Sequence, residues 1–206
     1  MSGTGALSWV ERLIAVAIVL QTVEMLQIRM SFSDRGVWAW SLIREDFTGF
    51  PRLIRLTLDA LLSYRGFIAL LALRLSAAFV LLLLPCSGVS LAASLALCAS
   101  TLLVSLRWRG SFNGGSDAMT LVVLTAICVA EAVPGDIRFA RGALGYIAAQ
   151  SVLSFFVAGA SKLKERSWRT GEALAVFLGP SRYTSPGFAR KIATRPWIYK
   201  PIYIRR

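Results

Sequence analysis

The sequence predicts an all-α, polytopic integral membrane helical bundle of about five transmembrane helices with additional interfacial helices. Three observations lead there. Hydrophobic residues make up 56 % of the 206-residue chain against 17 % charged. The mean hydropathy is +0.62, a balance that suits lipid as the surrounding medium better than water. The apolar residues also gather into successive runs of near-spanning length, separated by short polar or basic segments.

The first run extends from Val10 to about Ile28, with Glu24 inside it. Its leader, MSGTGALSWVER, carries no basic n-region, so the run is expected to be a retained anchor. A long connection follows, from Arg29 to Arg65, with six arginines and four acids. Within it VWAWSLI and FPRLIRLTLDALLSY place apolar residues at helical spacing, as in helices lying in the membrane interface.

The second run, Gly66 to Leu84, is closed by Pro85, and the third, Val89 to Leu106, follows after CSG as a tight hairpin. RWRGSFNGGSD leads into the fourth, Ala118 to Val133, and the fifth runs from about Ala143 to Ala160. GEALAVFL is too short to span at about 1.5 Å per residue, and Gly179 with Pro180 ends it. Three segments result: an N-terminal anchor and amphipathic connection over 1–65, a helical core over 66–178, and a basic tail over 179–206.

The net charge of +12 reflects 23 Lys and Arg against 11 Asp and Glu. With five spans, nineteen of the basic residues fall on one face and three, Arg12, Arg138 and Arg141, on the other. The positive-inside rule then sets the C-terminus in the cytoplasm. The basic residues form no stripe interleaved with aromatics, so the lipid bilayer is the expected partner and nucleic acid is not. The chain has no histidine, which excludes His-held haem and His-based acid-base schemes; neither haem nor metal is expected. Cys86, Cys98 and Cys128 stand singly and read as small core residues.

Arg74 falls near the middle of the second run, where a cation costs roughly 2.5 to 3.5 kcal/mol on insertion scales and needs a partner. Glu24 on the antiparallel first run lies about one turn away in depth and is the expected partner. Such a pair either handles a ligand or proton or fixes helix packing. Glu131, at the opposite face, reads as solvated. In SFNGGSD, Gly114 and Gly115 permit positive φ and Ser116 or Asp117 can cap a helix, so the turn is either a simple cap or a cradle for a carbonyl or anionic ligand. Lys162 stands where the fifth run meets polar surroundings, either snorkelling or serving as a general base. Trp168 fits an interface anchor in either case.

AGASKLKERSWRTGEAL, Ala158 to Leu174, resembles the A-G-x-x-K-L and W-x-x-G-x-A-L blocks of the horizontally transferred transmembrane domain (HTTM) shared with vitamin K-dependent gamma-carboxylases. SFNGGSDAMTL is similar to the Asn-bearing turn of that family, and LALRLSAAFVLLLL to its early Arg-bearing span. The resemblance covers roughly residues 66 to 178. It implies a quinone or hydroquinone ligand, Lys162 as the base that deprotonates it, and Asn113, Gly114, Arg74 and Trp168 as substrate-binding residues. The family histidine near the turn has no counterpart, and Gly115 stands close to its place. The chain looks more like the short bacterial versions, which implies a bacterial inner-membrane location. The resulting expectation is a quinone-linked or peptide-maturing membrane enzyme component, with a peptide substrate or a partner membrane subunit. The alternative is a noncatalytic membrane subunit or assembly factor of a larger complex.

Overall fold

The computed structural model describes residues 3–108 and 116–173, and among them every regular element is helical. Helix α1 (Gly3–Gln27) is followed by a connection holding short helical turns at Arg29–Phe32, α2 (Trp40–Ile43) and Arg44–Phe47, then α3 (Arg52–Leu62). Helices α4 (Tyr64–Leu83), α5 (Ser90–Arg107), α6 (Ser116–Glu131), α7 (Ile137–Lys164) and α8 (Arg166–Arg169) complete the order.

Four of these, α1, α4, α5 and α7, are long and apolar enough to cross a membrane. The expected fourth span corresponds to α6, whose 16 described residues reach about 24 Å at 1.5 Å per residue, short of a 30 Å hydrocarbon core.

Packing divides the chain into one compact unit, Met1–Gln150, and a second, Ser151–Arg206. In the first, α1 packs on α4, α4 on α5, and α6 on α5 and α1. The buried face of α4, with Phe67, Leu70, Leu71, Arg74, Ala77, Ala78 and Leu81, repeats every three or four residues, the stripe of a helix with one packed side. The buried face of α5 holds Ser90, Ser94, Ser100 and Thr101 beside Ala93 and Leu97. Small and hydroxyl-bearing side chains let helix backbones approach closely where lipid offers no hydrophobic drive.

Three apolar clusters stack along the first unit. One, around Phe32, Trp40, Phe67 and Val104, joins the connection to α4 and α5. A middle one is built from Ile18, Ala78, Leu81, Leu97 and Leu124. The last combines Leu7, Ala126, Ile127 and Ala130 with Ala140 and Ala143 of α7. Outside these clusters large apolar side chains such as Leu13, Leu20, Leu73, Phe79, Leu95 and Leu102 are exposed, as lipid-facing positions would be.

The connection turns into α4 with almost no room to spare. Ser63 Oγ accepts from the Gly66 amide at 3.2 Å and caps the helix. A Cβ on Gly66 would collide with the backbone carbonyl oxygen of Ala60. Gly66→Ala is therefore expected to destabilise the purified chain by about 1–3 kcal/mol, seen as a lower midpoint of thermal unfolding in detergent. An unchanged midpoint would mean that α3 shifts freely against α4.

Candidate functional site

Arg74 is fully buried, and its planar fork is held by two other helices. Nη1 donates to Thr101 Oγ1 and Nη2 to Gln21 Oε1, each at 2.7 Å. The Gln21 amide is in turn held from its other end: its Nε2 donates to Asp117 Oδ1 at 3.0 Å. Asp117 occupies the first turn of α6, where the helix dipole favours a carboxylate. Thr101 spends its own proton on the Leu97 carbonyl at 2.7 Å, which leaves its oxygen lone pairs free to accept from Arg74. A cation and a carboxylate are thus bridged by one glutamine amide across α4, α1 and α6, with α5 supplying the hydroxyl.

The expected Arg74–Glu24 pair is corrected by this arrangement. Glu24 is exposed, and the arginine's hydrogen bonds go to Gln21 and Thr101. Depth alone placed Glu24 within reach. Glu24 lines the same cleft as Arg74, but its side chain stays exposed while Gln21, one turn earlier on α1, takes the guanidinium.

Beside this network lies a cleft of about 580 Å³. Ile18, Met25, Ile28 and Val104 give it apolar walls, while Arg74, Gln21, Asp117 and Trp108 bring polar atoms to it. Two donors among these residues are enclosed and without a hydrogen-bond acceptor: Nε of Arg74 and the indole Nε1 of Trp108. A buried donor left unmatched costs about 1–3 kcal/mol.

Asn113 and Gly114, with Gly115, lie outside the described residues. The segment containing them joins Trp108 to α6, and both Trp108 and Asp117 line the cleft.

In the second unit, Lys162 sits in the last turn of α7 together with Lys164, where cations complement the helix dipole. Its side chain is exposed, and Nζ lies 4.7 Å from the centroid of the Trp168 ring. Trp168 is half-buried in α8. The structure therefore joins Lys162 to Trp168, and Arg74 to Gln21, Thr101 and Asp117.

A second polar cluster occupies the other end of the first unit and escaped the sequence reading. Glu11, fully buried, accepts from the Cys86 amide at 2.8 Å and from its Sγ at 3.2 Å. Cys86 is the turn residue between α4 and α5, held at φ 52, so it is an exposed cysteine and not the small core residue expected. Partial desolvation of the thiol where it meets Glu11, and the Glu11 carboxylate itself, push it up to about 12, which keeps it a donor and a poor nucleophile. The carboxylate oxygens of Glu131 are enclosed as well, facing Ser90 and Ser94, which corrects the reading of Glu131 as solvated.

Comparison of the chain with protein-family models, with curated proteins and with solved structures finds no match.

Proposed function

We propose that this chain is a multi-pass bacterial inner-membrane protein, crossing five times with a cytoplasmic C-terminus, that binds an amphipathic, carbonyl-bearing ligand of the quinone class in the Arg74 cleft. It would act as a component of a quinone-linked or peptide-maturing membrane enzyme. The two unmatched donors at the cleft, Arg74 Nε and Trp108 Nε1, carry this reading. A flat head group with carbonyl acceptors would satisfy both once the wall parts to admit it, and the apolar walls of Ile18, Met25 and Val104 suit the remainder of such a molecule.

α6 supports the five-span topology. Its first turn bonds to Gln21 of α1, while Glu131 at its last residue acts electrostatically on Glu11. It thus travels the depth between two levels of α1.

A quinone supplies reversible two-electron, two-proton chemistry when bound. Arg74 and Trp108 would orient its oxygens, and Asp117 would balance the arginine's charge through Gln21. Asn113 and Gly114 belong to the binding set that the resemblance implies. Lys162 is the base that the resemblance implies; it belongs to the second unit, where it is exposed beside the Trp168 ring.

Equilibrium binding of a short-chain quinone to the full chain in nanodiscs tests this. Saturable one-site binding is expected, and Trp108→Phe should weaken it about five-fold through the loss of one hydrogen bond. Lys162→Ala should leave binding intact while abolishing turnover. Binding that fails to saturate, or a Trp108→Phe variant that binds as wild type does, removes the reading.

The alternative of a noncatalytic subunit or assembly factor has its own support. The stretch from Ser151 in α7 leaves Val152, Phe155 and Phe156 exposed, an apolar face that a partner chain or lipid would cover. Co-purification of a stoichiometric partner that is lost on changing these residues, with no quinone binding, would favour it.

A further inference from the structure

We propose that the connection between α1 and α4 carries a binding site for the phosphate head group of an anionic phospholipid, separate from the Arg74 cleft and independent of its ligand. A small cleft of about 220 Å³ lies between the Trp40–Phe47 segment and α3, lined by Arg44, Arg52, Arg55 and Asp59 together with Trp40 and Leu56. Three guanidiniums therefore face one carboxylate. Asp59 is already committed, since Trp40 Nε1 donates to its Oδ1 at 2.7 Å and Arg44 stands 3.5 Å from its Oδ2. Arg52 and Arg55 have no ion-pair partner among the described residues, and the first turn of α3 contains no acid. Two planar forks that share one small cleft, whose single carboxylate is already engaged by Trp40 and Arg44, match a phosphodiester in geometry and charge.

The apolar surroundings select a lipid over a free anion. Leu53 and Leu56 of α3 are 76 % and 56 % exposed, and Phe50 just before it is 48 % exposed. On an amphipathic helix these side chains reach the acyl boundary while the arginines stay at head-group level. The site also belongs to the strongly basic face that the charge distribution assigns to the cytoplasmic leaflet, where anionic lipids concentrate.

The full chain, purified in a neutral detergent, is titrated with short-chain phosphatidylglycerol, with phosphatidylcholine of equal chain length, and with inorganic phosphate as competitor, and bound lipid is counted by native mass spectrometry. Each arginine near an anionic surface gives about a five-fold gain in affinity, so two give about thirty-fold. Phosphatidylglycerol is thus expected to bind about thirty-fold more tightly than phosphatidylcholine. Arg52→Gln and Arg55→Gln should each remove about five-fold, and together they should abolish the preference with helicity and thermal midpoint unchanged. Arg65→Gln, an exposed arginine outside the cleft, should leave it intact. Equal binding of the two lipids by wild type, or a preference that survives the double substitution, overturns the proposal. Displacement of phosphatidylglycerol by inorganic phosphate at equal concentration overturns the assignment to lipid.

Discussion

Replacing Arg74 by Ala is expected to destabilise the chain by about 3–5 kcal/mol, the cost of removing one partner from a buried charged network. The side chain is fully buried, and its loss strands Gln21 Oε1 and Thr101 Oγ1 on either side of the vacated space. Asp117 then keeps its hydrogen bond to Gln21 but loses the cation that balances it. Arg74→Lys retains the charge without the planar fork, so it should recover only part of the loss, since an ammonium on a flexible stem does not serve two acceptors in fixed directions. The relay is measurable by a double-mutant cycle. Arg74→Gln and Asp117→Asn, combined, should show a coupling energy of about 1 kcal/mol or more although Gln21 stands between the two residues. Thermal unfolding in detergent reads all of these, and strictly additive effects would show that the two charges do not sense one another.

The fate of Arg74 illustrates what a single sequence exposes and what it hides. Hydropathy marks where apolar helices begin and end, and α4 at Tyr64–Leu83 matches the run read from Gly66 to Leu84. The cost of a cation at mid-span identifies Arg74 as a residue facing protein, and its place on the buried stripe agrees. Its partners were not legible, because depth follows from the rise per residue while azimuth depends on which face of α1 meets α4. Gln21 and Thr101 offered a faint signal, as polar side chains within apolar runs that a bundle must satisfy. Glu11 was harder to assign. It lies at the start of a run, where a charge reads as solvated, and its partner is a cysteine amide 75 residues away that is free to bond only because of the tight turn at Cys86. For Lys162 the sequence offered a snorkelling cation or a base, and its contact with the Trp168 ring adds a partner compatible with either.

Arg107→Ala should free the connection from the bundle, an effect of similar size but different character. Sequence alone classes this arginine with the loop that follows α5, yet it is fully buried. Its Nη2 donates to the Phe32 carbonyl at 2.7 Å, and its guanidinium carbon lies 6.0, 5.8 and 5.4 Å from the ring centroids of Phe32, Trp40 and Phe67. Nε and Nη1 find no hydrogen-bond acceptor, so aromatic faces provide most of the remaining compensation for the charge; desolvated contacts of this kind contribute about 2 kcal/mol or more each. Phe32 and Trp40 belong to the connection, Phe67 to α4 and Arg107 to α5. One side chain therefore ties three parts of the chain together. Truncation leaves a cavity beneath the rings and an orphaned carbonyl, for a loss of about 3–5 kcal/mol. The connection's other large buried side chains, Trp40, Ile43, Leu58 and Leu62, belong to the same cluster as the rings around this guanidinium, so the loss should appear first as local opening. Limited proteolysis of the variant in detergent should cut between residues 28 and 62 at least ten times faster than in wild type, a factor that about 1.4 kcal/mol of local destabilisation suffices to produce. Arg107→Met, which fills much of the space without the charge, separates packing from cation–π attraction. If the variant resists cleavage as wild type does, the rings hold the connection by their own stacking and the arginine is incidental to it.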